Sequence, residues 1–322
     1  MEKENELKLI RLSDVETQEI DWLWYPYIPF GKITTIQGDP GGGKTSLALQ
    51  IAAACSKGVP LPDGVAKEPF PVIYQSAEDG LADTIKQRLE HSCADQEKIF
   101  SIDESTCPLS MLDKRIEGSI LQTGARLLIL DPIQGYLGQN VDINRANEVR
   151  TVLKHIAEIA AATGCAVVLV GHLNKSHGSN SSYRGLGSID FYAASRSVLL
   201  VGKMRDEPNT RVIVHDKSSL APAGKSRAFV FGDKNVFSWC SGYETVTADQ
   251  LLRGCTSGSK TDEAEDLIRE MLRGGKAVAA DKIFEAAQEK WISRRTVNEA
   301  KKRIGGISTK KVGQNWVWQL SR

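Results

Sequence analysis

Residues Gly38-Asp39-Pro40-Gly41-Gly42-Gly43-Lys44-Thr45 satisfy the spacing G-x-x-x-x-G-K-[ST] at every position. Lys32 to Gln37, directly before them, reads as a strand, and Ser46 to Ala52, directly after them, as a helix. A loop of this kind ties a buried strand to a helix N-terminus at one sheet edge, and so constrains the fold more than any other stretch. Its glycines let backbone N–H groups turn inward around phosphates, Lys44 reaches the outer phosphate oxygens, and the Thr45 hydroxyl suits Mg²⁺. The helix dipole adds its positive end to the same anion. The expected ligand is ATP with Mg²⁺, held by Gly38, Asp39, Pro40, Gly41, Gly42, Gly43, Lys44, Thr45 and Ser46.

Beyond the loop, apolar strands alternate with helical stretches. Val72 to Gln75, Leu127 to Leu130 and Ala166 to Val170 read as strands, with helices from about Ala82 and from about Asn144 to Ala162. That order predicts an α/β fold, a mostly parallel sheet with flanking helices. Ser197 to Val201, Arg211 to His215, Ala228 to Phe231 and Val236 to Cys240 read as antiparallel strands finishing it. The expected division is an N-terminal segment 1–30 with an aromatic cluster, a core 31–245, a linker 246–261 and a small domain 262–322.

With 322 residues and 41% apolar content, the chain has room for such a core and a second small domain. No apolar run approaches the roughly 20 residues that span a bilayer, and the charged start Met1-Glu2-Lys3-Glu4 is no signal core, so no membrane partner and a cytoplasmic location are expected. Six cysteines without a C-x-x-C pair speak against zinc, and Cys55 and Cys165 lie in apolar stretches suited to a core.

Three strand ends carry polar groups that would complete a triphosphate site. Asp131 ends an apolar strand and suits a metal-linked carboxylate, a role compatible with starting the turn before Pro132. Glu78 follows the strand after the loop helix and is the candidate base that orients attacking water, with Asp79 the better helix N-cap. His172, in Gly171-His172-Leu173-Asn174-Lys175, is the candidate γ-phosphate sensor or else a structural histidine. The polar, glycine-rich stretch Ser176 to Gly187 follows the same strand. It is either a solvated loop or one that contacts a nucleic-acid backbone through Lys175, His177 and Arg184.

Together, Gly38 to Thr45, Ser76-Ala77-Glu78-Asp79, Leu130-Asp131-Pro132, Gly171 to Lys175 and Tyr183 to Asp190 resemble the RecA-like ATPases. The likeness is greater to the RepA-like group, which is similar to DnaB-type hexameric replicative helicases, and covers roughly residues 20 to 240. It implies Glu78 as general base, His172 as sensor, the following loop on single-stranded DNA, and a homo-oligomer with nucleotide at subunit interfaces, a hexameric ring. It also implies Lys217 as a basic residue acting in the neighbour's site. Where the DnaB-type pattern has an arginine two residues later, this chain has Ser219, leaving Arg184, Arg196 or Arg205 to supply that charge. The segment Asp21 to Phe30 stands where those helicases carry a helical primase-binding domain, and its aromatics suit stacking on a base, a subunit contact or the sheet edge.

Residues 260–322 hold 14 Lys/Arg against 9 Asp/Glu, a balance of +5 against −4 for the rest. Three helical stretches and a hairpin read as a winged helix-turn-helix, resembling the module behind RepA-like cores in phages and mobile elements. Ser293 suits an N-cap, Val297, Ala300 and Ile304 an apolar face, and Arg294, Arg295, Asn298, Lys301 and Lys302 a face for duplex DNA. Three functions follow as candidates: an ATP-hydrolysing DNA motor of the replicative helicase type, an ATP-gated DNA-binding or loading protein, and a small-molecule phosphotransferase, for which no acceptor pocket is legible.

Overall fold

Strands that are apolar on both faces belong inside a sheet covered on both sides, and the central strands here are of that kind. A computed structural model describes residues 9–138, 141, 145–173, 189–204, 207–232, 236–255, 260–290, 292–313 and 315–320. It divides into two compact units, Met1–Lys203 with Glu207–Ala248, and Met204–Asp206 with Asp249–Arg322.

In the first unit, β1 (Trp22–Trp24) and β2 (Ile28–Pro29) form a short antiparallel ribbon before β3 (Ile33–Gly38). Helix α1 (Lys44–Lys57) leaves the phosphate loop. Then come β4 (Val72–Ser76), a π-helical turn at Leu81–Ile85 running into α2 (Lys86–His91), and the edge strand β5 (Ile99–Phe100). Helix α3 (Lys114–Thr123), β6 (Leu127–Asp131), α4 (Ala146–Thr163), β7 (Ala166–His172) and α5 (Ile189–Ala194) continue the alternation. The last four strands are β8 (Ser197–Lys203), β9 (Thr210–Ser218), β10 (Arg227–Phe231) and β11 (Phe237–Cys240).

Among the described residues these strands make a nine-stranded sheet in the order β11-β10-β9-β8-β3-β7-β6-β4-β5. Pairing is parallel from β8 to β5 and antiparallel from β8 to β11. Alternate residues feed two cores, as the two-residue strand period requires. Tyr74, Ile129 and Val168 join Leu47 and Ile51 of α1 on one face. Ile73, Leu128 and Leu169 join Ile116 of α3 and Leu153 of α4 on the other.

Two boundaries differ from the sequence reading. The aromatic segment is no separate piece ending at residue 30. Trp24, Tyr27 and Ile28 are buried in the first core, Trp24 against Trp239 and Tyr27 against His215, because the ribbon covers apolar surface at the antiparallel end of the sheet. Within the expected linker stands a helix, α6 (Ala248–Cys255), whose Leu251 and Leu252 are buried. Cys55 and Cys165 are buried free thiols, and burial pushes both up to about 12.

The second unit continues with α7 (Lys260–Met271), β12 (Val278–Ala279), α8 (Ala280–Glu289), α9 (Arg294–Ile304), β13 (Ile307–Val312) and β14 (Asn315–Leu320). Its antiparallel sheet has the order β12-β14-β13, one strand more than the sequence suggested. Ile268, Ile283, Val297, Ala300 and Trp318 form its core. No helix among the described residues is long and apolar enough to cross a membrane.

Candidate functional site

Parallel register brings four polar strand ends to one sheet edge, the edge where open α/β sheets take ligands. Gly38 at the end of β3 stands opposite His172 of β7, and Ser76 of β4 opposite Asp131 of β6. Each pairing extends one step past the strand. The Leu173 N–H donates to the Gly38 carbonyl at 3.3 Å and the Ala77 N–H to the Asp131 carbonyl at 3.0 Å. Ala77 therefore leaves the sheet at a fixed point, and Glu78 is the next residue.

The loop glycines are needed for space as well as for conformation. A Cβ on Gly38 would lie 2.0 Å from the carbonyl oxygen of Val201 on β8, a backbone atom that cannot step aside. Gly43 caps α1 at φ 97° with no side-chain hydrogen bond, so the first-turn N–H groups of α1 face the cleft without a capping side chain. Lys44 is buried, and its Nζ donates to the Gly38 and Asp39 carbonyls, at 2.9 Å each. Burial lowers its proton affinity, while Asp131, Asp39 and Glu78 pull it back up.

His172 stands between Lys44 and Glu78. Its Nδ1 is 3.3 Å from Lys44 Nζ and its Nε2 3.7 Å from Glu78 Oε1. An ammonium only donates, so in its contact with Lys44 the Nδ1 atom is the acceptor. Glu78 is 66% exposed at the mouth of the cleft, whereas Asp131 is buried behind it. The Asp131 carboxylate accepts from Tyr74 Oη at 2.7 Å. Burial raises its pKa above the ordinary value; hydrogen bonds from Tyr74 and Thr45 and the Lys44 charge hold it down, and Glu78 pushes it up.

These groups line a cleft of about 710 Å³ that also takes in Ser46, residues of α2, and Arg211, Phe231 and Phe237. A hydroxyl bonded to a buried carboxylate, Thr45 with Asp131, is the hard oxygen donor set that Mg²⁺ takes. The structure thus brings Lys44, Thr45, Ser46, Glu78, Asp131 and His172 to one place. Lys175, His177 and Arg184 lie outside the described residues.

Other candidates are placed differently. Gly80, and not Asp79, is the residue before the π-turn, and Asp79 instead accepts from Arg88 at 2.8 Å. Lys217 lies six residues from Arg211 along β9, about 20 Å by strand rise, and so takes no part in the cleft of its own chain. Its ammonium donates to the Tyr192 and Ala193 carbonyls at the end of α5, at 2.6 and 3.1 Å. Ser219 continues the strand direction with a backbone bond to Arg196.

In the second unit, Ser293 caps α9 by accepting from the Thr296 N–H, as its sequence position predicts. Four of the five candidate residues on α9, Arg294, Arg295, Asn298 and Lys301, are engaged within the unit. Arg294 lies 4.7 Å from the Phe284 ring and near Asp281, Arg295 pairs with Glu299, and Asn298 donates to the Arg294 carbonyl. Lys301 lies 4.1 Å from the Trp318 ring and donates to Thr309, and burial lowers its proton affinity. Lys302 is exposed.

Two features escaped the sequence reading. Arg211, counted there only as the start of a strand, is a wall of the cleft; the signal was a lone cation leading into Val212-Ile213-Val214. Gly135, in the 3₁₀ turn Ile133–Tyr136, is the other: a Cβ there would lie 2.3 Å from the Ala77 Cβ, so the turn after Asp131 presses on the residue beside Glu78.

Sheet order and the phosphate loop at the strand tips are together those of the RecA-type P-loop fold. A KaiC-like protein from Pyrococcus horikoshii shares the fold, at 17% identity over 66% of this chain and 91% of that one, with a TM-score of 0.50. Another solved ATPase domain aligns over 66% of this chain and 84% of its own, at 16% identity and a TM-score of 0.49. The DNA repair protein RadA of Halalkalibacterium halodurans is 25% identical over 177 residues, 54% of this chain. The chain spans only 34% of the length of that relative. A family model described as AAA domain matches residues 2–178, more than half of the chain, which therefore belongs to the AAA domain family.

Proposed function

We propose that this protein is an ATP-hydrolysing, DNA-binding motor of the RepA/DnaB-like replicative helicase type, acting as a homo-oligomeric, hexameric ring in the replication of a phage, plasmid or mobile element. The observation that carries this reading is the line Lys44, His172, Glu78 at the strand tips, spaced 3.3 and 3.7 Å. It links the phosphate loop through one imidazole to the candidate base, and the strand that supplies His172 runs directly into residues 174–188, where Lys175, His177 and Arg184 would meet a DNA backbone.

Lys44 and the N–H groups opening α1 bind the phosphates, and Glu78, exposed at the mouth, orients water and takes its proton. His172, with Nε2 3.7 Å from Glu78 Oε1, would report the state of the loop to the segment that follows. Mg²⁺, carried by Thr45 and Asp131, would neutralise charge on the β and γ oxygens. The helix, strand, helix, helix, strand, strand order of the second unit supports its reading as a winged helix-turn-helix. There α9 would offer Arg294, Arg295, Asn298, Lys301 and Lys302 to duplex DNA, with Lys301 already committed to Trp318.

The test is ATP turnover with single-stranded DNA of increasing length. A rise that saturates with length is expected; turnover that stays flat at every length contradicts the motor. One observation favours a second reading, an ATP-gated DNA-binding or loading protein. Lys217 is tied to carbonyls of its own chain and Ser219 carries no charge, so neither is poised to act in a neighbour's site. Slow hydrolysis, tight duplex binding and no strand separation would select that reading.

A further inference from the structure

We propose that Arg211 binds the polyphosphate of the nucleotide within its own chain, as a second cation beside Lys44. The proposal rests on the cleft being a nucleotide site and adds a residue to it.

Arg211 is only 9% exposed, yet among the described residues it makes no ion pair. Its Nε is buried with no hydrogen-bond partner, and its other contacts are with neutral groups. Nη1 donates to the Pro208 carbonyl, and the guanidinium lies 5.2 Å from the Phe231 ring. A carbonyl and a ring face offset part of the cost of burying a cation, but neither neutralises it. Buried charges are otherwise paired, so an arginine held this way is short of an anion.

Its position says where that anion enters. Arg211 lines the same cleft as Lys44, Thr45 and Glu78. Its Cγ is 3.3 Å from the point where a Cβ on Gly43 would stand, and Gly43 is the cap of α1, where the helix N–H groups already favour a phosphate. Register fixes the placement, because Arg211 pairs with Phe229 of β10, whose ring also reaches Gly43. A guanidinium lining the cleft is a fork-shaped cationic donor suited to phosphate oxygens.

The test compares parent, Arg211→Met, Arg211→Lys and Lys44→Ala, reading the affinity for ATP, ADP and AMP and the thermal midpoint without nucleotide. Arg211→Met is expected to bind ATP and ADP about tenfold or more weaker, as loss of a charge-assisted hydrogen bond implies, and AMP nearly as the parent does. Its midpoint without nucleotide should be no lower than the parent's, since a buried charge without a partner has been removed. Arg211→Lys, which keeps the charge and loses the fork, should bind ATP with an affinity between those of the parent and Arg211→Met. Parent affinity for ATP in Arg211→Met overturns the proposal, as does an equal loss for all three nucleotides, which would place the arginine on the nucleoside. A lowered midpoint with an undiminished response to ATP would make it structural, overturning it too. A parent that binds no nucleotide, indistinguishable from Lys44→Ala, overturns the nucleotide reading itself.

Discussion

The cleft at the strand tips and the basic helix α9 hold charged side chains under opposite conditions. In the cleft, Lys44, Asp131 and Arg211 are buried, and backbone register fixes what each can touch. On α9 the cations stand at the surface, where Arg295 is 89% exposed and pairs with Glu299 four residues on. A buried charge that loses its partner costs several kcal/mol, roughly 3 to 5, whereas an exposed pair contributes about 0 to 1. Each residue of the cleft is therefore expected to matter singly, and those of α9 only together.

The comparison breaks first at Lys44. Lys44→Ala is expected to lower ATP affinity by about 100-fold or more, because the ammonium is the charged donor of the phosphate loop itself and Arg211 on the neighbouring strand does not replace it. A titration following heat or fluorescence reads this, and a loss below about tenfold would mean that the ammonium is peripheral. Next comes a residue that touches no ligand. Gly135→Ala should cut turnover by about tenfold with little change in ATP affinity, since its Cβ displaces Ala77 and with it Glu78. Ala77→Gly in the same chain removes the clashing atom and should restore most of the rate; no recovery would show that the turn does not position the glutamate.

Asp131 sharpens the contrast through pH. Burial raises its folded-state pKa above the ordinary 3.8. The stability that this shift brings is full below 3.8 and is lost as pH rises through the folded value. Asp131→Asn cannot ionise, so without nucleotide the gap between its melting point and the parent's should move in the variant's favour as pH rises from 3.8 to neutral. A gap that moves in the variant's favour on acidification would reverse the sign. The smallest effect belongs to α9. Arg295→Ala with Lys302→Ala should weaken duplex binding several-fold and lower the salt dependence by about two counterions. Unchanged affinity and slope would leave this helix without a role on DNA.

The two regions also differ in how far the sequence shows them. Gly38 to Thr45 is legible residue by residue because a phosphate loop needs glycine, lysine and threonine at set spacings, and the apolar runs ending in Asp131 and His172 mark strands that must share its edge. Helix α3 was not anticipated, although Asp113 caps it and Ile116 and Ile120 bury one face, because three turns give too short a periodic signal. Arg211 and Gly135 were hidden for a different reason. Their roles arise from contacts with Gly43 and Ala77, distant in sequence, and no local pattern records such a meeting. On α9 the amphipathic pattern and its Ser293 cap could be read, but not that Lys301 packs against Trp318, which depends on how β14 folds back.

Binding and turnover measured side by side in Glu78→Gln test the central claim most directly. The amide keeps the size and polarity of the glutamate and removes its capacity to take a proton. The expected result is ATP affinity within about threefold of the parent and turnover lower by about 100-fold or more, the usual scale for a lost general base. Turnover close to the parent's would contradict the account, because the line from Lys44 through His172 would then end on a residue that does no chemistry.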